Sequence, residues 1–164
     1  MAHSTFREGV VAGTLGAAAV ALWFLIVDMV TGRPLHTPAV LGAIVSGASD
    51  PIVAAEGVDH LKLAALYTPL HFIAFALFGV LVVFLVHRAE RRPSLLMLAL
   101  LLFAAFEVAF TGFVAILEQT ALGDLAWYQV AIGNLIAVVV MGWYVLHRHP
   151  GVHDMWTHSL DERE

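Results

Sequence analysis

The sequence predicts an all-α membrane protein, a bundle of four transmembrane helices, and two observations carry that prediction. Of the 164 residues, 60% are hydrophobic and 13% are charged, and the mean hydropathy is +0.86. A soluble domain of this length cannot bury so much apolar surface, whereas a bilayer accommodates it. Four apolar segments also have about the 20 residues that a helix needs to cross roughly 30 Å of hydrocarbon. They lie at about 9–30, 62–87, 95–117 and 126–147.

The composition also narrows the classes of function. The chain has no cysteine, which excludes disulfides, thiolate metal sites and thiol redox chemistry. Its net charge is −5 and no basic run is interleaved with aromatic residues, so nucleic acid is excluded as a partner. Nine histidines are many for this length. We therefore interpret residues 1–164 as a single membrane domain in contact with lipid.

The first apolar segment, 9–30, is predicted to be a retained transmembrane helix and not a signal peptide. Its apolar part is too long, and Asp28 stands where small residues would mark a cleavage site. Small residues recur every four positions, which predicts a face that another helix can approach closely. Because this stripe continues to Asp28, that carboxylate is expected to point into the bundle near its outer end. The stripe consists of Gly9, Gly13, Ala17 and Ala21.

The connection between the first two crossings is too long for a plain turn, and it contains a predicted short helix at 37–46. Thr37 is suited to cap this helix and Pro38 to occupy its first turn. Since the helix is much shorter than a crossing, we expect it to lie at the outer interface or to re-enter the bundle. Asp50-Pro51 then predicts a turn.

The third predicted crossing, 95–117, contains the most informative residue of the chain. Glu107 lies near the middle of a run that is otherwise almost entirely apolar. A carboxylate at that depth is costly in lipid, and it requires a partner, a proton or a function.

The second crossing, 62–87, is expected to bend at Pro69, which removes one backbone hydrogen bond.

The distribution of basic residues predicts the orientation. Six arginines fall on the side shared by both termini and the second loop, and only Arg33 and Lys62 fall on the other side. By the positive-inside rule both termini and the tail 148–164 face the cytoplasm of a bacterial-type plasma (inner) membrane. The six are Arg7, Arg88, Arg91, Arg92, Arg148 and Arg163.

A polar cluster is predicted in the outer half of the bundle, because each crossing places a polar side chain there. For Glu107 two interpretations remain open: a site for a proton, cation or metal, or a protonated carboxyl hydrogen-bonded to Asn134 or His71. The cluster comprises Asp28, His71, Glu107, Glu118, Gln129 and Asn134.

Metal and haem are cofactors that this pattern allows without favouring either. His71, Glu107 and Glu118, with Asp28 or His36, could hold one divalent ion such as zinc, although their spacing is not diagnostic. A haem held between helices requires facing axial ligands, for which His87 and His147 would be the pair. Each is followed by arginine at a helix end, a pattern typical of plain interfacial residues.

A weak internal repeat links the second and fourth crossings. The second ends on Leu85-Val86-His87-Arg88 and the fourth on Val145-Leu146-His147-Arg148. A duplicated two-helix unit would place a pseudo-twofold axis along the membrane normal. Interfacial His-Arg pairs are also common without any duplication.

Two classes of function remain open. No phosphate-binding loop, Ser-His-Asp arrangement or zincin motif is present. We favour an accessory or structural subunit of a larger membrane complex, or a self-associating homo-oligomer, in which the polar cluster joins the helices. The alternative is a small proton- or metal-linked carrier or membrane enzyme, with Glu107 as the titrating group and His71 as its relay or ligand.

Overall fold

The computed structural model describes residues 2–57, 59–89 and 127–148, and all regular structure within them is helical. The all-α prediction is therefore confirmed for this part of the chain. The third predicted crossing, 95–117, and the tail 149–164 lie outside the described residues. The described helices are α1 (Ala2–Val30), α2 (His36–Ser46), α3 (Pro51–Glu56), α4 (His60–Ala89) and α5 (Trp127–Arg148).

Three of these helices are long and apolar enough to cross a membrane. The spans are Thr5–Val30 in α1, His60–Arg88 in α4 and Tyr128–Arg148 in α5. α4 continues through Pro69 as a single helix. The long apolar helices expected of a membrane protein are thus present at three of the four predicted positions.

α1 and α4 cross at very short distance because glycines face each other at the crossing. A Cβ on Gly13 would overlap the backbone carbonyl of Phe75, and one on Gly79 would overlap the backbone of Gly9. A Cβ on Gly9 would lie 2.7 Å from the backbone nitrogen of Val80. Backbone-to-backbone packing of this kind requires residues without side chains on both helices.

α5 packs against another side of α1, through side chains and not through backbone. A Cβ on Gly16 would meet the Met141 sulfur at 2.6 Å, and Gly133 lies against the rings of Trp23 and Phe24. At one end of the structure Ala12, Val83, Met141 and Val145 form a buried cluster to which all three long helices contribute.

These contacts fix the direction of the helices. Gly9 of α1 faces Val80 of α4, whereas Ala17 of α1 faces His71 of α4. Residue numbers therefore rise along α1 as they fall along α4, so the two helices are antiparallel. In the same way, Gly16 faces Met141 of α5 and Trp23 faces Gln129 of α5, so α5 is also antiparallel to α1. α4 and α5 therefore run in the same direction. The end of α4 at Ala89 and the start of α5 at Trp127 lie at opposite ends of the structure.

The packing face of α1 departs from a strict four-residue spacing. Gly9, Gly13 and Ala17 are buried, but Ala21 is exposed, and the buried face continues through Val20. A step of four residues advances about 40° beyond a full turn, so a four-residue stripe rotates away from a nearly straight neighbour. Alternating steps of three and four residues keep the buried face in contact.

The segment between α1 and α4 forms a second, smaller core. Ala39 and Val40 of α2 pack with Ala55 of α3 and Ala64 of α4. Gly42 brings α2 against the backbone of Leu63. The turn expected at Asp50-Pro51 is instead the start of α3, because the Asp50 carboxylate accepts hydrogen bonds from the N–H groups of Ile52 and Val53 at 3.2 and 3.1 Å.

We expect Gly13→Ala to destabilise the protein, because the added methyl group must displace the α4 backbone. Overpacking of this kind costs about 1–3 kcal/mol. Gly142→Ala is the matched control, since a Cβ at Gly142 meets nothing within 4 Å. Thermal unfolding in detergent, followed by circular dichroism, measures both variants. Equal unfolding midpoints for the two would contradict the glycine crossing.

Candidate functional site

A buried polar contact joins α1 to α2. Asp28 is 3% exposed and Thr37 is 5% exposed. The backbone N–H of Thr37 donates to Oδ2 of Asp28 at 2.8 Å, and the Thr37 hydroxyl donates to Oδ1 at 2.7 Å. The Asp28 carboxylate thus accepts two hydrogen bonds from the first turn of α2.

Asp28 acts as the N-terminal cap of α2, although it belongs to a different helix. The residue at the cap position, Leu35, has φ 62° and makes no capping hydrogen bond with its side chain. The first-turn N–H groups of a helix lack partners within it, and its N-terminus favours a negative charge. Thr37, which was predicted to be the cap, lies inside the first turn and donates to the true cap.

His71 joins α4 to α1 in the middle of the long helices. Its Nε2 lies 3.1 Å from the carbonyl oxygen of Ala17. Because a carbonyl only accepts, Nε2 carries the hydrogen in this contact. The imidazole also packs against Phe75, with ring centroids 4.7 Å apart, and against Tyr67 at 5.7 Å.

Trp23 joins α1 to α5. Its Nε1–H donates to the backbone carbonyl of Gln129 at 2.9 Å. The indole fits there because Gly133, one turn further along α5, has no side chain. Trp23 lies near the end of the first apolar segment, where tryptophan commonly lies at the membrane boundary, and nothing in the sequence indicated that its indole would contact a particular helix.

The predicted cluster is thus distributed over separate contacts in the part that the structure describes. Asp28 bonds to Thr37, His71 bonds to Ala17, and Gln129 takes part through its backbone carbonyl. Asn134 is partly buried on α5. Glu107 and Glu118 lie outside the described residues, so their place in the cluster stays a prediction.

Metal ligation finds no geometric support among the described residues. Across 2–57, 59–89 and 127–148, no three His, Asp or Glu side chains are grouped closely enough to hold an ion. Of the proposed ligands, His36 opens α2 and His71 bonds to Ala17. His87 places Nδ1 2.9 Å from the carbonyl of Val83 in its own helix, while His147 stacks on Trp143.

The two ends of the structure differ in how their basic residues are paired. At the end that carries α2 and α3, Lys62 Nζ lies 2.6 Å from Asp59 Oδ1 and Arg33 Nη1 lies 3.9 Å from Glu56 Oε1. At the other end, Arg88 lies over the Phe84 ring at 5.9 Å and Arg148 over the Tyr144 ring at 5.6 Å.

Comparison of the chain with protein-family models, with curated proteins and with solved structures gives no match. The fold and its contacts are therefore the basis for assigning a function.

We expect Asp28→Ala to release α2, because two donors in its first turn lose a charged acceptor. The loss is about 2–3 kcal/mol. Hydrogen exchange of residues 36–46 should accelerate, while exchange at the α1–α4 crossing stays unchanged. Thr14→Val is the control, since that exposed hydroxyl bonds only to Val10 in its own helix. Unaltered exchange of α2 in Asp28→Ala would contradict the cap.

Proposed function

We propose that the chain is an integral protein of a bacterial-type plasma membrane with a structural or accessory role, as a homo-oligomer or as a subunit of a larger membrane complex. One observation carries the proposal. The polar side chains of Asp28, His71 and Trp23 each bond to another helix, and these bonds lie at separate places along α1. Such contacts hold helices together, whereas a carrier or enzyme requires polar groups that converge on a ligand.

The direction of the helices supports four crossings. Since α4 and α5 are parallel, the chain must return from the end of the structure at Ala89 to the end at Trp127. The apolar segment 95–117 has the length for that return, at about 1.5 Å per residue. A third crossing there completes a bundle around the α1–α4–α5 core.

The charged residues support a position in the membrane. Along α1, Arg7 and Asp28 are separated by about 30 Å of helix, close to the thickness of the hydrocarbon core. Asp28 then lies at one boundary together with α2, whose length is insufficient for a crossing. We place α2 and α3 at the outer boundary, as interfacial helices, and both termini in the cytoplasm.

The exposed surfaces support association with lipid or with further helices. On α4, large apolar residues are exposed at steps of three or four residues, which produces a continuous stripe along one face. Its members are Leu66, Leu70, Ile73, Leu77, Leu81 and Phe84. In an accessory subunit this stripe meets lipid or a neighbouring helix.

The substitution Glu107→Gln separates the structural role from the carrier or enzyme. In a structural role the amide still forms hydrogen bonds, so we expect an unchanged oligomeric mass by native mass spectrometry. The unfolding midpoint should shift by less than about 4 °C, which corresponds to about 1 kcal/mol for a chain of this length. Wild type and variant are then compared for proton and zinc flux in proteoliposomes. A flux present in the wild type and abolished in an intact, correctly assembled variant would replace the structural proposal by the carrier.

The four-crossing topology is testable by cysteine labelling, because the natural chain contains no cysteine. We expect Ser49→Cys and Asp124→Cys to react with a membrane-impermeant maleimide in spheroplasts. Ala89→Cys should react only after the membrane is opened. If Asp124→Cys is protected in the same way as Ala89→Cys, residues 95–117 do not cross and the bundle is wrong.

A further inference from the structure

Two polar groups on one side of α4 lack a hydrogen-bond partner in the part of the chain that the structure describes. Tyr67 and His71 lie one turn apart, with ring centroids separated by 5.7 Å, and both side chains are half-buried. The Nε2–H of His71 is used in the contact with Ala17, which leaves Nδ1 as a hydrogen-bond acceptor. Within residues 2–57, 59–89 and 127–148, neither Nδ1 nor the Tyr67 hydroxyl is hydrogen-bonded. Because both belong to a membrane-spanning helix, where water is scarce, they require a polar neighbour.

The apolar segment that follows α4 in the sequence is suited to be that neighbour. Only residues 90–94 separate Ala89, the end of α4, from the segment 95–117. Short connections of this kind join neighbouring antiparallel helices in bundles. The chain must also return from the end of the structure at Ala89 to the end at Trp127. A crossing by 95–117 is therefore expected to lie beside α4 and to run opposite to it.

The polar residues of this segment match those of α4 in number and in spacing. Within 95–117, Glu107 and Thr111 are the only residues with oxygen or nitrogen in their side chains, and they are four residues apart. Tyr67 and His71 are also four residues apart. In an antiparallel pair of helices, residue numbers rise along one helix as they fall along the other. Glu107 therefore lies opposite His71 when Thr111 lies opposite Tyr67, so a single alignment joins both pairs.

The same alignment also matches the ends of the two helices. It places Leu117 opposite Leu61, in the first turn of α4, and Leu95 opposite Val83, near the other end of that helix. The apolar segment then lies within the membrane-spanning stretch His60–Arg88 of α4. Hydrophobic length and polar spacing thus favour the same register.

We propose that the side of α4 defined by Tyr67 and His71 is the docking surface for residues 95–117, with Glu107 bonded to His71 and Thr111 bonded to Tyr67. The proposal rests on the third crossing proposed above. Because Nδ1 of His71 can only accept, Glu107 binds as a protonated carboxyl whose O–H donates to this nitrogen. A neutral carboxyl is also the form that an apolar environment favours. The Thr111 and Tyr67 hydroxyl groups can each donate or accept, so they satisfy each other.

Disulfide cross-linking of the full-length chain in membranes tests the docking surface, because the natural chain contains no cysteine. Ala74 is three residues after His71 on the same side of α4, and the proposed alignment places it opposite Ala104. We expect oxidation with copper phenanthroline to cross-link most chains of A74C/A104C, measured as loss of labelling by a maleimide polymer. The matched control is A74C/A105C. In the proposed alignment Ala105 has nearly the same depth but faces away from α4, so this pair should remain almost fully labelled.

Infrared spectroscopy of the same protein at neutral pH tests the proton. We expect the C=O stretching band of a protonated carboxyl, which E107Q should remove. H71F should shift the band to higher frequency, because the carboxyl loses its hydrogen-bond acceptor. E56Q is the control, since the Glu56 carboxylate is exposed beside Arg33 and should not contribute to this band.

The outcomes separate this proposal from the crossing on which it rests. If Asp124→Cys is labelled from outside but A74C/A104C cross-links no more than A74C/A105C, the segment crosses and the docking surface is wrong. A protonated-carboxyl band that is absent from the wild type, or that persists in E107Q, overturns the bond from Glu107 to His71. If Asp124→Cys is protected, the segment does not cross and both proposals fail.

Discussion

The contact on which the rest of the structure depends is the crossing of α1 and α4 at Gly9, Gly13 and Gly79. Lipid tails are as apolar as the helices, so association in a bilayer has no hydrophobic drive and depends on how closely the backbones approach. These glycines allow backbone contact along successive turns. With α1 and α4 held in this way, α5 can pack against another side of α1 through larger side chains, and the buried cluster around Ala12 can form.

The position of α2 depends on a different kind of contact. α2 is a short helix without charged residues, and its first turn leaves backbone donors unpaired. Asp28 supplies two acceptor oxygens from the end of α1, and Gly42 lets α2 approach the backbone of Leu63 on α4. α2 is therefore held in place by contacts to both α1 and α4. Burial of the Asp28 carboxylate is tolerated because its oxygens are hydrogen-bonded at a helix N-terminus.

Four of the five described helices were predictable from the sequence, whereas α3 and the partners of the polar residues were not. Hydrophobic length predicts the long helices, and Thr37-Pro38 places the start of α2 within one residue. A local pattern does not reveal that the cap comes from Asp28, nine residues earlier and on another helix. Ala21 is exposed because a step of four residues exceeds one helical turn, and the predicted four-residue stripe did not take this into account. Trp23 illustrates the same limit, because its partner Gln129 is 106 positions away.

The polar contacts also explain how helices with almost entirely apolar surfaces adopt one alignment, or register, along each other. Small residues let helices approach, but a row of them permits several alignments that differ by one turn. A hydrogen bond in an apolar environment distinguishes these alignments, because a shift by one turn leaves a polar group without its partner. His71 fixes α4 against Ala17, Trp23 fixes α5 against Gln129, and Asp28 fixes α2. All three contacts are made with α1, so this helix sets the register of α2, α4 and α5.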